Sequence, residues 1–122
     1  RYYSAARSLC QWRRAFRRCE FTAMDAFDFL DRALQSDKAS YQRSLYLDPP
    51  FPGAGDAYKH SFPIDWHRRL RDSLIRFRNT KIVVRYYFTP LIDDLYRGFK
   101  FHRFEGRKQT NDAAPELLIE IN

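Results

Sequence analysis

The most constraining feature is the run Ile82-Val83-Val84-Arg85-Tyr86-Tyr87, a β-branched and aromatic stretch bracketed by helix signals on both sides. Upstream, Pro63 opens a helix that reads to about Arg78, in keeping with proline's tolerance of a first turn. The apolar side of that helix is expected to carry Trp66, Leu70, Leu74 and Phe77. Downstream, Thr89-Pro90 reads as an N-cap with proline at the first helical position, and that helix stops at Gly98. A strand between two helices must lie in a sheet that helices cover.

The rest of the chain extends the pattern. Residues 4–18 read as a helix, with Ala5, Leu9, Trp12 and Phe16 at three- and four-residue spacing. Cys19–Thr22 reads as a short strand, and a helix follows from about Ala23 to Gln35. Ser36–Arg43 is a polar loop. Ser44–Leu47 is a strand that stops at two prolines, which cannot donate to a sheet ladder. Pro49–His60 is a loop with three prolines and two glycines. Phe99–Phe104 alternates apolar and polar residues, Gly106–Pro115 is a polar loop, and Glu116–Ile121 is a final strand. Alternating strands and helices predict an α/β sheet covered on both faces. The last two strands have no helix between them, so they are expected to pair antiparallel at one end of the sheet.

Composition excludes several classes. At 44% hydrophobic and 17% aromatic residues the chain can build a core, which argues against intrinsic disorder. No apolar run approaches the roughly 20 residues needed to cross a bilayer, and no apolar stretch follows the arginine-rich N-terminus as a signal peptide requires. Cys10 and Cys19 form neither a metal-ligand pattern nor a disulfide framework, so a cytoplasmic protein with incidental thiols is the expectation. His60, His67 and His102 lie in different elements without metal-ligand spacing, and no metal site is expected. The net charge is +7, and residues 1–20 hold six arginines and one acid. Such a cluster attracts phosphate backbones through counterion release; a solvated helix face is the plainer alternative.

The chemistry concentrates in Asp48-Pro49-Pro50-Phe51, beyond the carboxyl end of a strand, where open α/β sheets bind ligands. The prolines hold the chain extended and leave carbonyl oxygens without local partners. Asp48 adds a carboxylate acceptor and Phe51 a flat apolar face. An exocyclic amine on a planar base is a poor nucleophile, because its lone pair is delocalised into the ring. Two acceptors that hold its N–H groups favour a pyramidal nitrogen and free the lone pair. The aromatic face can stack on a base taken out of the duplex. Taken alone, the tetrapeptide is equally well read as a rigid turn.

The stretch from Glu20 to Asn122 resembles the second half of the Dam-like DNA adenine-N6 methyltransferases. In that family a strand ending Asp-Pro-Pro-Tyr/Phe precedes a pattern of Tyr, Phe and His leading into a helix. Here Tyr58, Phe62 and His67 stand in AYKHSFPIDWHRRL. A strand ending in Ser-Tyr, a proline and Leu-Tyr follow in the family; this chain has Arg85-Tyr86, Pro90 and Leu95-Tyr96. The family closes with a basic polar loop and a strand rich in Glu and Leu, and this chain has GRKQTNDAAPELLIEIN. The resemblance implies the C-terminal half of a Rossmann-like S-adenosylmethionine methyltransferase sheet ending in an antiparallel strand pair. It implies that Asp48 and the Pro49 carbonyl hold the adenine amine, with Pro50 shaping the segment and Phe51 stacking on the flipped base.

Other roles rest on the same resemblance. Met24-Asp25-Ala26-Phe27 is similar to the family's Asp-Phe segment, which implies that Asp25, Phe27 and Asp48 face the cofactor S-adenosylmethionine; a helix N-cap is the alternative for Asp25. Arg107, Lys108 and Asn111 fall in the polar loop, implied to lie near DNA, and Arg13, Arg14 and Arg17 join them as candidate DNA contacts. Arg85 stands where the family has a small serine, and could reach a phosphate or a carboxylate or crowd the base pocket.

The family's glycine-rich cofactor loop has no counterpart here; Gly53-Ala54-Gly55 follows the wrong motif. Residues 1–18 then read as the last helix of a target-recognition insert and 19–122 as the catalytic portion. The chain starts at Arg1 and reads as a processed chain or a piece of a longer protein. The implied partners are double-stranded DNA and either a second chain or a preceding segment carrying the cofactor loop, with no membrane. The alternatives are a catalytically incomplete DNA-binding module, one subunit of a split enzyme, or methyl transfer to cytosine-N4 or a glutamine amide. Related folds with the latter activities usually begin the motif with Ser or Asn, so Asp48 favours adenine.

Overall fold

A computed structural model of the chain describes residue 9 and residues 12–37, 43–52, 62–107 and 113–122, with backbone only at 106, 107, 113 and 114. The elements are α1 (Ala26–Gln35), β1 (Arg43–Leu47), α2 (Ile64–Leu74), β2 (Thr80–Tyr87), α3 (Pro90–Leu95), β3 (Lys100–Arg107) and β4 (Ala113–Ile121). The four strands form one mixed sheet in the order β1-β2-β4-β3, so the fold is a small α/β architecture. β1 and β2 are parallel, since α2 carries the chain back between them. β4 runs antiparallel to both its neighbours and inserts between β2 and β3.

One face of this sheet carries the core. Ile82, Val84 and Tyr86 sit opposite Ile121, Ile119 and Leu117, and all six are fully buried. Phe27 and Leu30 of α1, Leu70 and Leu74 of α2, and Ile92 and Leu95 of α3 join the same cluster. The other face, with Lys81, Val83, Arg85 and Tyr87 of β2, is half-buried or exposed. The expectation of helices on both faces is therefore corrected: among the described residues they cover one. The connections β1-α2-β2 and β2-α3-β3 step in one direction along the sheet, and crossovers of one hand then place their helices on one side.

Local chemistry sets the boundaries. α1 starts at Ala26 rather than at residue 23, because the Asp25 carboxylate caps it, accepting from the Phe27 and Asp28 amides at 2.8 and 3.4 Å. Thr89 caps α3 through the Ile92 amide at 3.2 Å with Pro90 in the first turn, as the sequence predicts. That helix ends at Leu95, and Gly98 adopts φ +92°, a conformation that favours glycine. α2 begins after Pro63 and ends at Leu74, so Phe77 enters the core from the following turn. Its inward face is corrected too: His67 is fully buried and Trp66 is 40% exposed. Cys19–Thr22 forms no strand, and Phe21 lies exposed against the edge of Phe16. β3 and β4 are longer than expected and shorten the loop between them.

At the N-terminal side, residues 12–16 are helical; Trp12 and Phe16 stack at 5.5 Å yet remain largely exposed. No helix among the described residues is long and apolar enough to cross a membrane.

Asp37 ties the end of α1 to the start of β2. Its carboxylate accepts from the amides of Arg78 and Asn79 at 2.7 and 3.2 Å and from the Thr80 hydroxyl at 2.7 Å. The Arg78 amide, with the Thr80 hydroxyl second, holds its pKa below the ordinary carboxylate range. A depressed carboxylate contributes stability that is present above its unfolded pKa and lost as pH falls through the folded one. Asp37→Asn is therefore expected to lower the melting temperature at pH 7, with the deficit shrinking below about pH 4. Melting curves of both proteins at pH 7 and pH 3 check this; equal deficits would remove the charge from the account.

Candidate functional site

β1 ends at Leu47, and Asp48-Pro49-Pro50-Phe51 continues past it, beside the carboxyl end of the parallel strand β2. Strand alternation turns Leu45 and Leu47 toward the core with Ile82 and Val84. The next residue along, Asp48, meets Arg85 of the open face: Arg85 Nη1 donates to Asp48 Oδ2 at 3.1 Å.

Arg85 is itself clamped by β4. Its Nε donates to Glu116 Oε2 at 3.1 Å, and its Nη2 lies 2.9 Å from Glu116 Oε1, a bidentate pairing. The Glu116 hydrogen bonds first, and those to Asp48 next, raise the guanidinium pKa above its ordinary value against the cost of desolvation. The three side chains are 28% (Arg85), 45% (Asp48) and 26% (Glu116) exposed, so the cluster remains open to a ligand. Phe51 packs on Tyr87 at 4.1 Å between ring centroids and on Tyr86 at 6.3 Å, with the Arg85 guanidinium carbon 5.7 Å from its ring centre. The site thus joins a carboxylate, a cation and an aromatic face within one corner of the sheet.

Beneath this corner lies a buried polar contact. Tyr86 is fully buried, and its hydroxyl lies 2.9 Å from His67 Nδ1. Burial pushes the His67 pKa down, keeping the ring neutral, and pushes the Tyr86 phenol above its ordinary range. Tyr96, packed 5.9 Å from Tyr86, is pushed up to about 12, chiefly by burial. This set fixes Tyr86, against which Phe51 leans.

A cavity of about 360 Å³ opens between α1 and β1, and its lining includes Phe27, Leu30, Leu47, Asp48, Pro49 and Phe62. Asp25 stands one residue before this lining, with Oδ1 engaged in capping α1. Phe27 is a core residue: its ring stacks on Phe62 at 6.4 Å and lies 3.9 Å from the guanidinium carbon of Arg69. The cavity therefore brings Asp48 and Phe27 together, while Asp25 acts as the N-cap.

Among the described residues, no hydrogen bond or ion pair joins the side chains of Arg13, Arg14 or Arg17 to this corner. Arg13, Arg14 and Arg17 are exposed on the N-terminal helical segment and the turn after it. Arg107 is corrected from the loop to the last position of β3, because the β3–β4 ladder runs on to the pair Arg107 and Ala113. Lys108, Asn111, Tyr58 and His60 lie outside the described residues. Among the described residues no group of three His, Cys, Asp or Glu side chains could hold a metal ion.

Sequence reasoning missed Glu116 and Tyr87. Tyr87 was within reach, because strand alternation puts it on the same face as Arg85. Glu116 was not, because its role depends on a β2–β4 register that only the fold supplies. No protein-family model matches the chain, and no curated protein matches its sequence.

Proposed function

We propose that this chain is the target-base side of an S-adenosylmethionine-dependent DNA adenine-N6 methyltransferase, built as the C-terminal half of a Rossmann-like sheet. The observation that carries the reading is the position of Asp48-Pro49-Pro50-Phe51: at the carboxyl end of a parallel strand, flanked by an aromatic stack and a cavity. The strand order, two parallel strands followed by an inserted antiparallel strand, supports it.

The chemistry follows from the acceptors. Asp48 Oδ2 is engaged by Arg85, so Oδ1 is the oxygen that accepts one N–H of the amine. The Pro49 carbonyl accepts the other. The nitrogen becomes more pyramidal and its lone pair leaves the ring system. S-adenosylmethionine, when bound, supplies the electrophilic methyl group. Held on Asp48 and the Pro49 carbonyl, the amine would take up that group and release one of its protons to solvent. Phe51 offers its remaining face to the flipped base, a contact worth about 1–3 kcal/mol in nucleic-acid systems.

The described residues fit the cofactor in part. The cavity beside Asp48 is lined mostly by apolar groups, and among the described residues its lining includes no Lys or Arg to pair with the carboxylate of the methionyl end. Duplex DNA is the proposed substrate, with Arg13, Arg14, Arg17, Arg107, Lys108 and Asn111 as proposed contacts, in a cytoplasmic setting.

The second reading, a DNA-binding module without activity of its own, draws on one observation: the Asp48 carboxylate is already ion-paired with Arg85. Incubation with methyl-labelled S-adenosylmethionine and mixed-sequence duplex DNA, alone and with the neighbouring gene product, separates the two. The first reading expects label in the DNA in at least one pairing. Salt-sensitive DNA binding without transfer in either supports the second.

A further inference from the structure

We propose that Arg85 is a base-reading residue: with Asp48 it forms an adjacent acceptor–donor pair that fits an amine flanked by a ring nitrogen. The inference rests on the reading of Asp48 as the holder of the target amine. A guanidinium carries five N–H donors in a fixed plane and no acceptor. Here three are engaged, one from Nε and one from Nη2 on Glu116 and one from Nη1 on Asp48. One N–H on Nη1 and one on Nη2 are left. The bidentate clamp of Glu116 fixes the plane, so these remaining donors keep a set direction instead of sweeping through solvent.

Asp48 stands beside them with Oδ1, and among the described residues that oxygen has no partner. The corner therefore presents a carboxylate acceptor next to a charged donor, both within reach of solvent. Phe51, with its ring centre 5.7 Å from the guanidinium carbon, gives the same ligand a flat wall. Adenine carries the matching edge: the exocyclic N–H donor lies next to an acceptor, N1 on one side and N7 on the other. An amine held on Asp48 brings one of those ring nitrogens toward Arg85. In this account the ion pair does not block the site. Arg85 keeps its grip on Glu116 and shares itself between Asp48 and the base.

The test uses the full chain and three probes: adenosine and its two deaza analogues, one lacking N1 and one lacking N7. Affinities are read from the amide signals of Asp48, Phe51 and Tyr87 in NMR titrations of wild type, Arg85→Met and Arg85→Lys. In wild type, at least one analogue is expected to bind about tenfold more weakly than adenosine, the effect of one lost hydrogen bond to a charged donor. Arg85→Met is expected to bind all three ligands alike, and Arg85→Lys, with a point charge in place of the fork, to fall between. A purely structural role for Arg85 would weaken all three ligands together and leave their ratio unchanged. Equal binding of all three by wild type, or discrimination retained in Arg85→Met, would overturn the proposal. Absence of any saturable change with adenosine itself removes the base pocket, and with it the reading beneath this inference.

Discussion

Tyr86→Ala is expected to bring the chain close to unfolding at room temperature. The side chain is fully buried at the meeting point of β2, α2 and the turn after α3, touching His67, Tyr96 and Phe51. Truncating a buried aromatic costs about 3–5 kcal/mol through lost burial and the cavity left behind. The variant also strands the His67 Nδ1 that faces the hydroxyl at 2.9 Å, in a position closed to water. A domain of this size has a total stability of roughly 5–15 kcal/mol, so the loss is a large fraction of it. Tyr86→Phe keeps the ring and removes only the hydroxyl, and is expected to cost about 1–2 kcal/mol. Urea unfolding midpoints of the three proteins check the order. A Tyr86→Ala loss below about 1 kcal/mol would mean that the ring is not a core element.

Asp48→Ala is expected to do the opposite: to leave the fold and remove the chemistry. Its only ion pair among the described residues is half-exposed, and such pairs contribute about 1 kcal/mol or less. Arg85 is not orphaned by the change, because Glu116 holds it through two contacts. On the proposed function, methyl transfer loses the acceptor that directs the amine. Removing one preorganised polar group of this kind costs roughly 100- to 1,000-fold in rate. Asp48→Asn retains an acceptor oxygen and is expected to fall between. Transfer rates with labelled cofactor, alongside melting curves, separate the two effects. An Asp48→Ala protein that transfers at the wild-type rate would sink the assigned role.

The parts of this fold that were legible share one property: their signals are local. The β-branched run of β2, the Thr89-Pro90 start of α3 and the prolines that stop β1 all act within a few residues. The misread parts depend on partners distant in the chain. Apolar spacing allows either Trp66 or His67 to face inward on α2; the hydrogen bond to Tyr86, 19 residues away, satisfies one of the two nitrogens of the buried histidine. The polar residues and Pro115 near the last strand read as loop, but pairing with β3 carries the ladder from Lys100 opposite Glu120 to Arg107 opposite Ala113. The strand expected at Cys19–Thr22 does not form, and the segment finds no strand to pair with among the described residues.

The candidate site divides along the same line. Asp48 to Phe51 was visible as a segment because its residue types and order carry the argument. Arg85 was visible only as an oddity. Its meaning comes from a register that sets Asp48 on one side of it and Glu116, 31 residues on, at the other. Asp25 caps α1 by accepting two of its amides through Oδ1, a role compatible with a cofactor contact as well. Phe27, expected to face a cofactor, lines the cavity and also packs on Phe62 and Trp66.

The central claim is that the corner at Asp48 presents an adenine amine to an activated methyl group. Its most direct measurement is the identity of the methylated nucleoside after incubation with labelled S-adenosylmethionine and duplex DNA, with wild type and Asp48→Ala side by side. The account predicts N6-methyladenine from wild type, alone or with the proposed second chain, and formation roughly 100- to 1,000-fold slower from Asp48→Ala. Label on cytosine, or on adenine in equal amount from both proteins, would contradict it.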